Sequence, residues 1–182
     1  MANLFPIQQQ QEYPIFGRFN VRYGDTLADN CPPLQEFQIA IFTKEEFEAN
    51  PRDLPAIDLD ENDAFACSSD KKEDAASSTK AGIIFNQAAI ESLGLTEEEQ
   101  YAAIAHEIGH IIYRFSDKKE QFPKGQGEEI FADSIAAEIG LANEILSVIE
   151  KMEKEFYYDE NKESRFGMRK KYLKCMCIDI LD

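Results

Sequence analysis

The chain's only two histidines stand four residues apart, in His106-Glu107-Ile108-Gly109-His110. An H-E-x-x-H spacing constrains the fold because it works only on a helix. There the two imidazoles project within roughly 40° of each other and can grip one ion. The flanking sequence builds such a helix. Thr96 and Glu99 match a capping box, Glu97 to Glu99 suit the positive end of the helix dipole, and the pattern runs to about Phe115. Ile104, Ile108, Ile111, Ile112 and Phe115 gather on the opposite side. The wheel therefore predicts a core-facing stripe and a histidine face turned to a cleft. Gly109 falls on the histidine side, where it costs about 1 kcal/mol relative to Ala. Close approach of another helix or of a substrate is the compensation to expect.

Hydrolytic zinc takes three protein ligands and keeps a further position open. With no third histidine, the third ligand must be a carboxylate or a thiolate. Glu129 is the first choice, on a second helix that begins near Gly127 and runs past Glu150. Glu128 is the second choice, about 100° round that helix, and a cysteine ranks below both. Asp133, one turn after Glu129, can accept a hydrogen bond from the non-ligating nitrogen of a zinc histidine. Glu129, Ala132, Asp133, Ala136 and Gly140 share about 100° of arc, a face of small residues and acids that a neighbouring helix can approach closely.

Glu107 can take a proton from a metal-activated water and hand it to a leaving amine. The prediction is zinc-dependent hydrolysis of peptide bonds. Tyr113, Arg114, Tyr157, Tyr158 and Arg165 are the candidate oxyanion donors. One rival reading is a catalytically idle, zinc-containing module that binds a peptide or protein. An intact Glu107 counts against it, since a scaffold needs the ligands but not the base. A purely structural zinc is disfavoured too, because such sites are closed and richer in cysteine.

HEIGH, followed from Glu128 by EEIFADSIAAEIG, resembles the gluzincin metallopeptidases, and among them most the ImmA/IrrE family, whose second helix carries an E-x-x-A-[DN]-x-x-A-like signature. The match covers roughly residues 81–145 and departs from the family pattern at Phe131 and Ile135. Counting back from Ala132-Asp133 puts the family's zinc-binding glutamate at Glu129. The resemblance implies a zincin-like α+β fold: a small mixed or antiparallel sheet packed on an active-site helix and a second, ligand-bearing helix. It also implies a Zn2+ cofactor and a protein substrate that is a regulator, in some members a transcriptional repressor.

The remaining sequence fits a single domain over residues 1–182. Residues 1–14 read as an irregular arm, with a glutamine run from Gln8 to Gln11. Ile15 to Tyr23 alternates like a half-buried strand, and Gly24 to Pro33 reads as a turn. Phe37 to Phe42 and Ala81 to Asn86 are strand candidates, with Ala56 to Leu59 and Ala64 to Cys67 weaker ones. The strand at Ile83 to Asn86 could take an extended substrate by edge pairing. Thr43 with Glu46 caps a short helix, and Gln87 to Leu93 forms another, closed by Gly94. Ser68 to Lys80 is polar and reads as a mobile loop. A last helix is expected from Arg165 to about Ile178.

The net charge of −16 argues against nucleic acid and anionic membrane surfaces as partners. No apolar run is long enough to span a bilayer. No basic stretch followed by an apolar one marks a secretory leader. The four cysteines, Cys31, Cys67, Cys175 and Cys177, form no disulfide framework. A reducing cytoplasm is the expected location.

Overall fold

The computed structural model describes residues 2–35, 38–50, 54, 55, 57, 59–70, 80–115, 121, 122, 125–156 and 166–178. The fold is mixed α+β, mostly helical, with one small three-stranded mixed sheet. Its chain contacts define two compact units, Met1–Gln87 and Ala88–Asp182.

The first unit holds helices α1 (Ile7–Glu12) and α2 (Pro14–Asn30), a 3-10 turn, strand β1 (Ile39–Thr43), helix α3 (Lys44–Ala49), and strands β2 (Phe65–Asp70) and β3 (Lys80–Phe85). The alternation over Ile15 to Tyr23 does not produce a strand, and Gly24 to Pro33 is not one long turn: α2 runs through to Asn30. Its buried residues are Phe16, Phe19, Asn20, Tyr23, Gly24, Leu27 and Ala28, a helical spacing. Phe5 packs edge-on against both Phe16 and Phe19, and Phe16 meets Phe85 of the sheet. Burying these rings, at about 1.5–3 kcal/mol each, outweighs the weak strand pattern.

The N-terminal stretch is not an irregular arm either. Leu4 and Phe5 are buried, and the glutamine run lies in α1. The Gln9 amide accepts the Ile41 N–H and donates to the Ile41 carbonyl, both at 2.8 Å, while Leu4 O accepts the Ile39 N–H. One side chain thus stands in for a neighbouring strand along β1.

The strand order is β1-β3-β2, with β1 parallel and β2 antiparallel to β3. From Ala81 to Phe85, β3 is paired on both sides, so it offers no edge to a substrate. The Thr43–Glu46 capping box forms as read. Ser68 to Asp70 belong to β2 and Lys80 to β3. The rest of the expected loop, residues 71–79, lies outside the described residues. Ile57 and Leu59, from a weak strand candidate, pack without strand pairing against a cluster of Phe42, Phe47, Leu54 and Ile84.

The second unit contains α4 (Gln87–Ser92) from its second residue on, α5 (Glu97–Phe115), α6 (Gln126–Glu138), α7 (Ala142–Phe156) and α8 (Gly167–Ile178). Thr96 and Glu99 close the expected capping box at the start of α5. Glu99 also accepts from Ser147 and Lys151 of α7, both at 2.6 Å. The helix expected to run from Gly127 past Glu150 is broken. Gly140, at φ +86°, ends α6, its N–H bonded to Ala137 O and that of Leu141 to Ala136 O. These two bonds form a Schellman stop, which favours glycine in its left-handed position. No helix among the described residues is long and apolar enough to cross a membrane.

Candidate metal centre

Within the second unit, α5 supplies two imidazoles, α6 the three carboxylates of Glu128, Glu129 and Asp133, and α8 a guanidinium. The wheel of α5 holds for Ile104, Ile108, Ile111 and Ile112, all buried. The histidine face is covered as well, contrary to the open cleft expected. His106 is only 7% exposed, and Ala102, Ala105 and Gly109 beside it are buried. The small face of α6 is responsible: Ala132, Asp133 and Ala136 are fully buried. A Cβ on Gly109 would lie 2.6 Å from Ala132 Cα and 2.9 Å from its carbonyl oxygen. Gly109 therefore allows α6 to press backbone to backbone on the turn that carries the histidines.

Acidic partners orient both imidazoles through Nδ1. Asp133 Oδ1 lies 2.8 Å from His106 Nδ1. Both Asp133 oxygens also accept from Arg169, Oδ2 from Nε and Oδ1 from Nη2, each at 2.7 Å. An ionised carboxylate only accepts, so His106 Nδ1 is the donor, which in the neutral ring leaves Nε2 with a lone pair. By the same logic His110 Nδ1 donates to Glu128 Oε1 at 3.1 Å, which frees Nε2 in the neutral ring.

The two Nε2 atoms face each other 3.1 Å apart. Glu129 faces both, through a different oxygen for each, with Oε2 3.6 Å from His106 Nε2 and Oε1 3.5 Å from His110 Nε2. Metal–nitrogen and metal–oxygen bonds of about 2.0–2.2 Å in a tetrahedron separate ligand atoms by about 3.3–3.5 Å. The histidine edge and the nearest approach of each imidazole to the carboxylate fall within about 0.2 Å of that, the two approaches being made by different Glu129 oxygens, and one donor atom from each residue lies within 4.8 Å of the other two. Among the described residues this is the one group of histidine, cysteine and acid side chains with its donor atoms converged in this way. The donor set, two imidazoles and a carboxylate, suits zinc.

The local field favours a cation. Burial alone would lower the His110 pKa, but the Glu128 hydrogen bond and the charges of Glu107 and Glu129 outweigh it and hold it above the ordinary histidine value. Burial would likewise raise the Glu129 carboxyl; His106, Arg169 and His110 hold it low instead. Asp133 behaves the same way, its burial opposed by the His106 and Arg169 hydrogen bonds.

His106, His110, Glu129 and Asp133 are thus brought together. Glu107 follows His106 on the same helix, half-buried, and its charge is felt at both His110 and Arg169. Glu128 is not in the converged group and holds the outer nitrogen of His110. Of the candidate oxyanion donors, Tyr113 is buried and donates to Phe122 O, and Arg114 is half-buried. Tyr157, Tyr158 and Arg165 lie outside the described residues. Cys175 and Cys177 lie on α8 and take no part in the converged group. Arg169, 8% exposed, escaped the sequence reading. It stands beside Lys170 and Lys171, and nothing local in the sequence separates it from them.

Comparison of the chain with known protein families, with curated proteins and with solved structures finds no match in any of the three.

Proposed function

We propose that the chain is a zinc-dependent metallopeptidase with a zincin-like fold, of the gluzincin type and most like the ImmA/IrrE family, acting in the cytoplasm on a peptide or protein that is itself a regulator. The observation that carries the reading is the triangle of His106 Nε2, His110 Nε2 and the Glu129 carboxylate, with both Nδ1 atoms engaged by acids. Two imidazole nitrogens and a carboxylate converging on one point are the donor set a zinc ion would take. The resemblance of HEIGH and EEIFADSIAAEIG to the family supports the peptidase class.

His106, His110 and Glu129 would hold the metal. When bound, it supplies a Lewis acid that makes water nucleophilic near neutral pH and polarises a carbonyl. Asp133 and Glu128 keep each imidazole in the tautomer that points Nε2 inward. Glu107 holds the proton taken from water and returns it to the leaving amine. Glu129, a third exposed, marks the side from which solvent reaches the group.

The test pairs two substitutions. Glu107→Gln should keep stoichiometric zinc and lose cleavage by about 10²-fold or more, read as the disappearance of new N-termini from cells expressing the protein. Glu129→Ala should lose zinc. Full zinc retention by Glu129→Ala would overturn the ligand assignment. Identical N-termini from zinc-loaded parent and Glu107→Gln would favour the idle binding module.

A further inference from the structure

Arg169 touches neither imidazole as a hydrogen-bond partner, yet it organises two carboxylates of α6, Asp133 and Glu129. Its Nε and Nη2 fork onto Asp133, and Nη1 reaches Glu129 Oε2 at 2.8 Å. The 3.4 Å between its Nη2 and His106 Nδ1 joins two donors that share Asp133 Oδ1. Asp133 is completely buried and the guanidinium nearly so. A single rigid plane therefore spans two acids one helical turn apart, which a lysine's point charge cannot do. With all three of its nitrogens engaged, Arg169 is poorly placed to serve as a substrate or oxyanion donor.

We propose that Arg169 is a positioning residue for the metal centre: by holding Glu129 Oε2 it leaves Oε1, the oxygen 3.5 Å from His110 Nε2, as the ligating atom, keeps the remaining coordination position open, and couples α8 to metal binding. The proposal rests on the metal-centre reading above. Without the guanidinium, two acids on one helix face would be left to repel each other. Glu129 would also be free to rotate and offer both oxygens, closing the position a substrate water needs. Because binding coupling is reciprocal, a metal that stiffens Glu129 also stiffens α8 through Arg169.

The test uses the full chain with Co(II) as probe, whose visible absorption is strong in four-coordinate sites and weak when further oxygens bind. Arg169→Lys and Arg169→Gln, shown folded by circular dichroism, should bind Co(II) about 10–100-fold more weakly and give a weakened visible band at saturation. Leu173→Ala removes a fully buried side chain from the same helix without touching the acids. It should lower stability and leave the band intact. In the parent, Co(II) should slow hydrogen exchange over residues 166–178 by about 5-fold or more, a measurement that stands even if the Arg169 variants fail to fold. Parent-like affinity and band in folded Arg169 variants, a band lost equally in Leu173→Ala, or unchanged exchange in α8 would each overturn the proposal while leaving the metal centre standing. A parent that takes up no Co(II) or zinc would overturn both.

Discussion

Gly109→Ala separates what the α5–α6 contact does for stability from what it does for the site. The added Cβ would meet Ala132 Cα at 2.6 Å, and ordinary contact begins near 3.4 Å, so the two backbones must part by about 0.8 Å. Alanine gains about 1 kcal/mol of helix propensity over glycine. Overpacking costs about 1–3 kcal/mol. Fold stability should therefore fall by no more than about 2 kcal/mol, and the protein should stay folded. The triangle tolerates far less. Its edges to Glu129 are already 3.5 and 3.6 Å, and metal–ligand distances hold only within about 0.2 Å. A parting of the helices moves Glu129 from the histidines by several times that margin. Zinc affinity should drop by about 10²-fold or more, as a misplacement near 1 Å does to catalytic groups. The assays are urea unfolding of the metal-free protein and zinc competition against a chromophoric chelator. A variant stabilised by the full propensity gain, with parent-like zinc affinity, would refute the backbone contact and the rigidity it implies.

Two further outcomes test the surrounding frame. Burial opposes the Glu99 charge, but Lys151, Ser147 and the Thr96 backbone hold its carboxyl below the ordinary 4.5. Its stabilising contribution is thus complete above that value and lost as pH falls through the lower, folded-state one. Glu99→Gln should cost about 1–2 kcal/mol at pH 7 and flatten the parent's acid-side loss of stability, measured as urea midpoints from pH 7 down to 3. Gly140→Ala should cost about 1–2 kcal/mol in the same unfolding assay, purely from conformation, because a Cβ there meets nothing within 4 Å.

The residues of the site differ in how far sequence alone could reach them, and the reason is range. His106 with His110, and Glu129 with Asp133, are each one helical turn apart, so periodicity places each pair on one face. Thr96 with Glu99 and Thr43 with Glu46 were legible for the same local reason. Arg169 is 36 residues from Asp133 in sequence, and no short-range pattern distinguishes it from Lys170 or Lys171. The fold was legible as α+β with its main strands near Ile39 and Ile83, yet α2 was read as a strand. Over Ile15 to Tyr23 a period of two and a helical period both accommodate Phe19 and Tyr23. The residue that decides is Val21, which a strand would bury beside them and which is 69% exposed here. Gly24, which opens the segment that reads as a turn, is accommodated inside α2 and lets the backbone of Ala2 come close. Long-range packing overrode local propensity in each of these cases.

The small residues of α5 and α6 and the charged ones form a single device. Aspartate is short, and Asp133 can reach His106 Nδ1 at 2.8 Å only if the helix axes lie close. Gly109 and Ala132 permit that closeness, and the same closeness excludes water from Asp133, which is fully buried. A buried aspartate beside a second acid is costly unless paired, and Arg169 provides the pairing. Each feature makes the next one necessary: the glycine brings the helices together, the approach buries the acid, and the buried acid requires the arginine. Two substitutions within this chain should accordingly be non-additive. In a double-mutant cycle Gly109→Ala and Arg169→Lys should couple by about 0.5–3 kcal/mol in zinc binding. Strict additivity would mean that the helix contact and the guanidinium clamp act on the site separately.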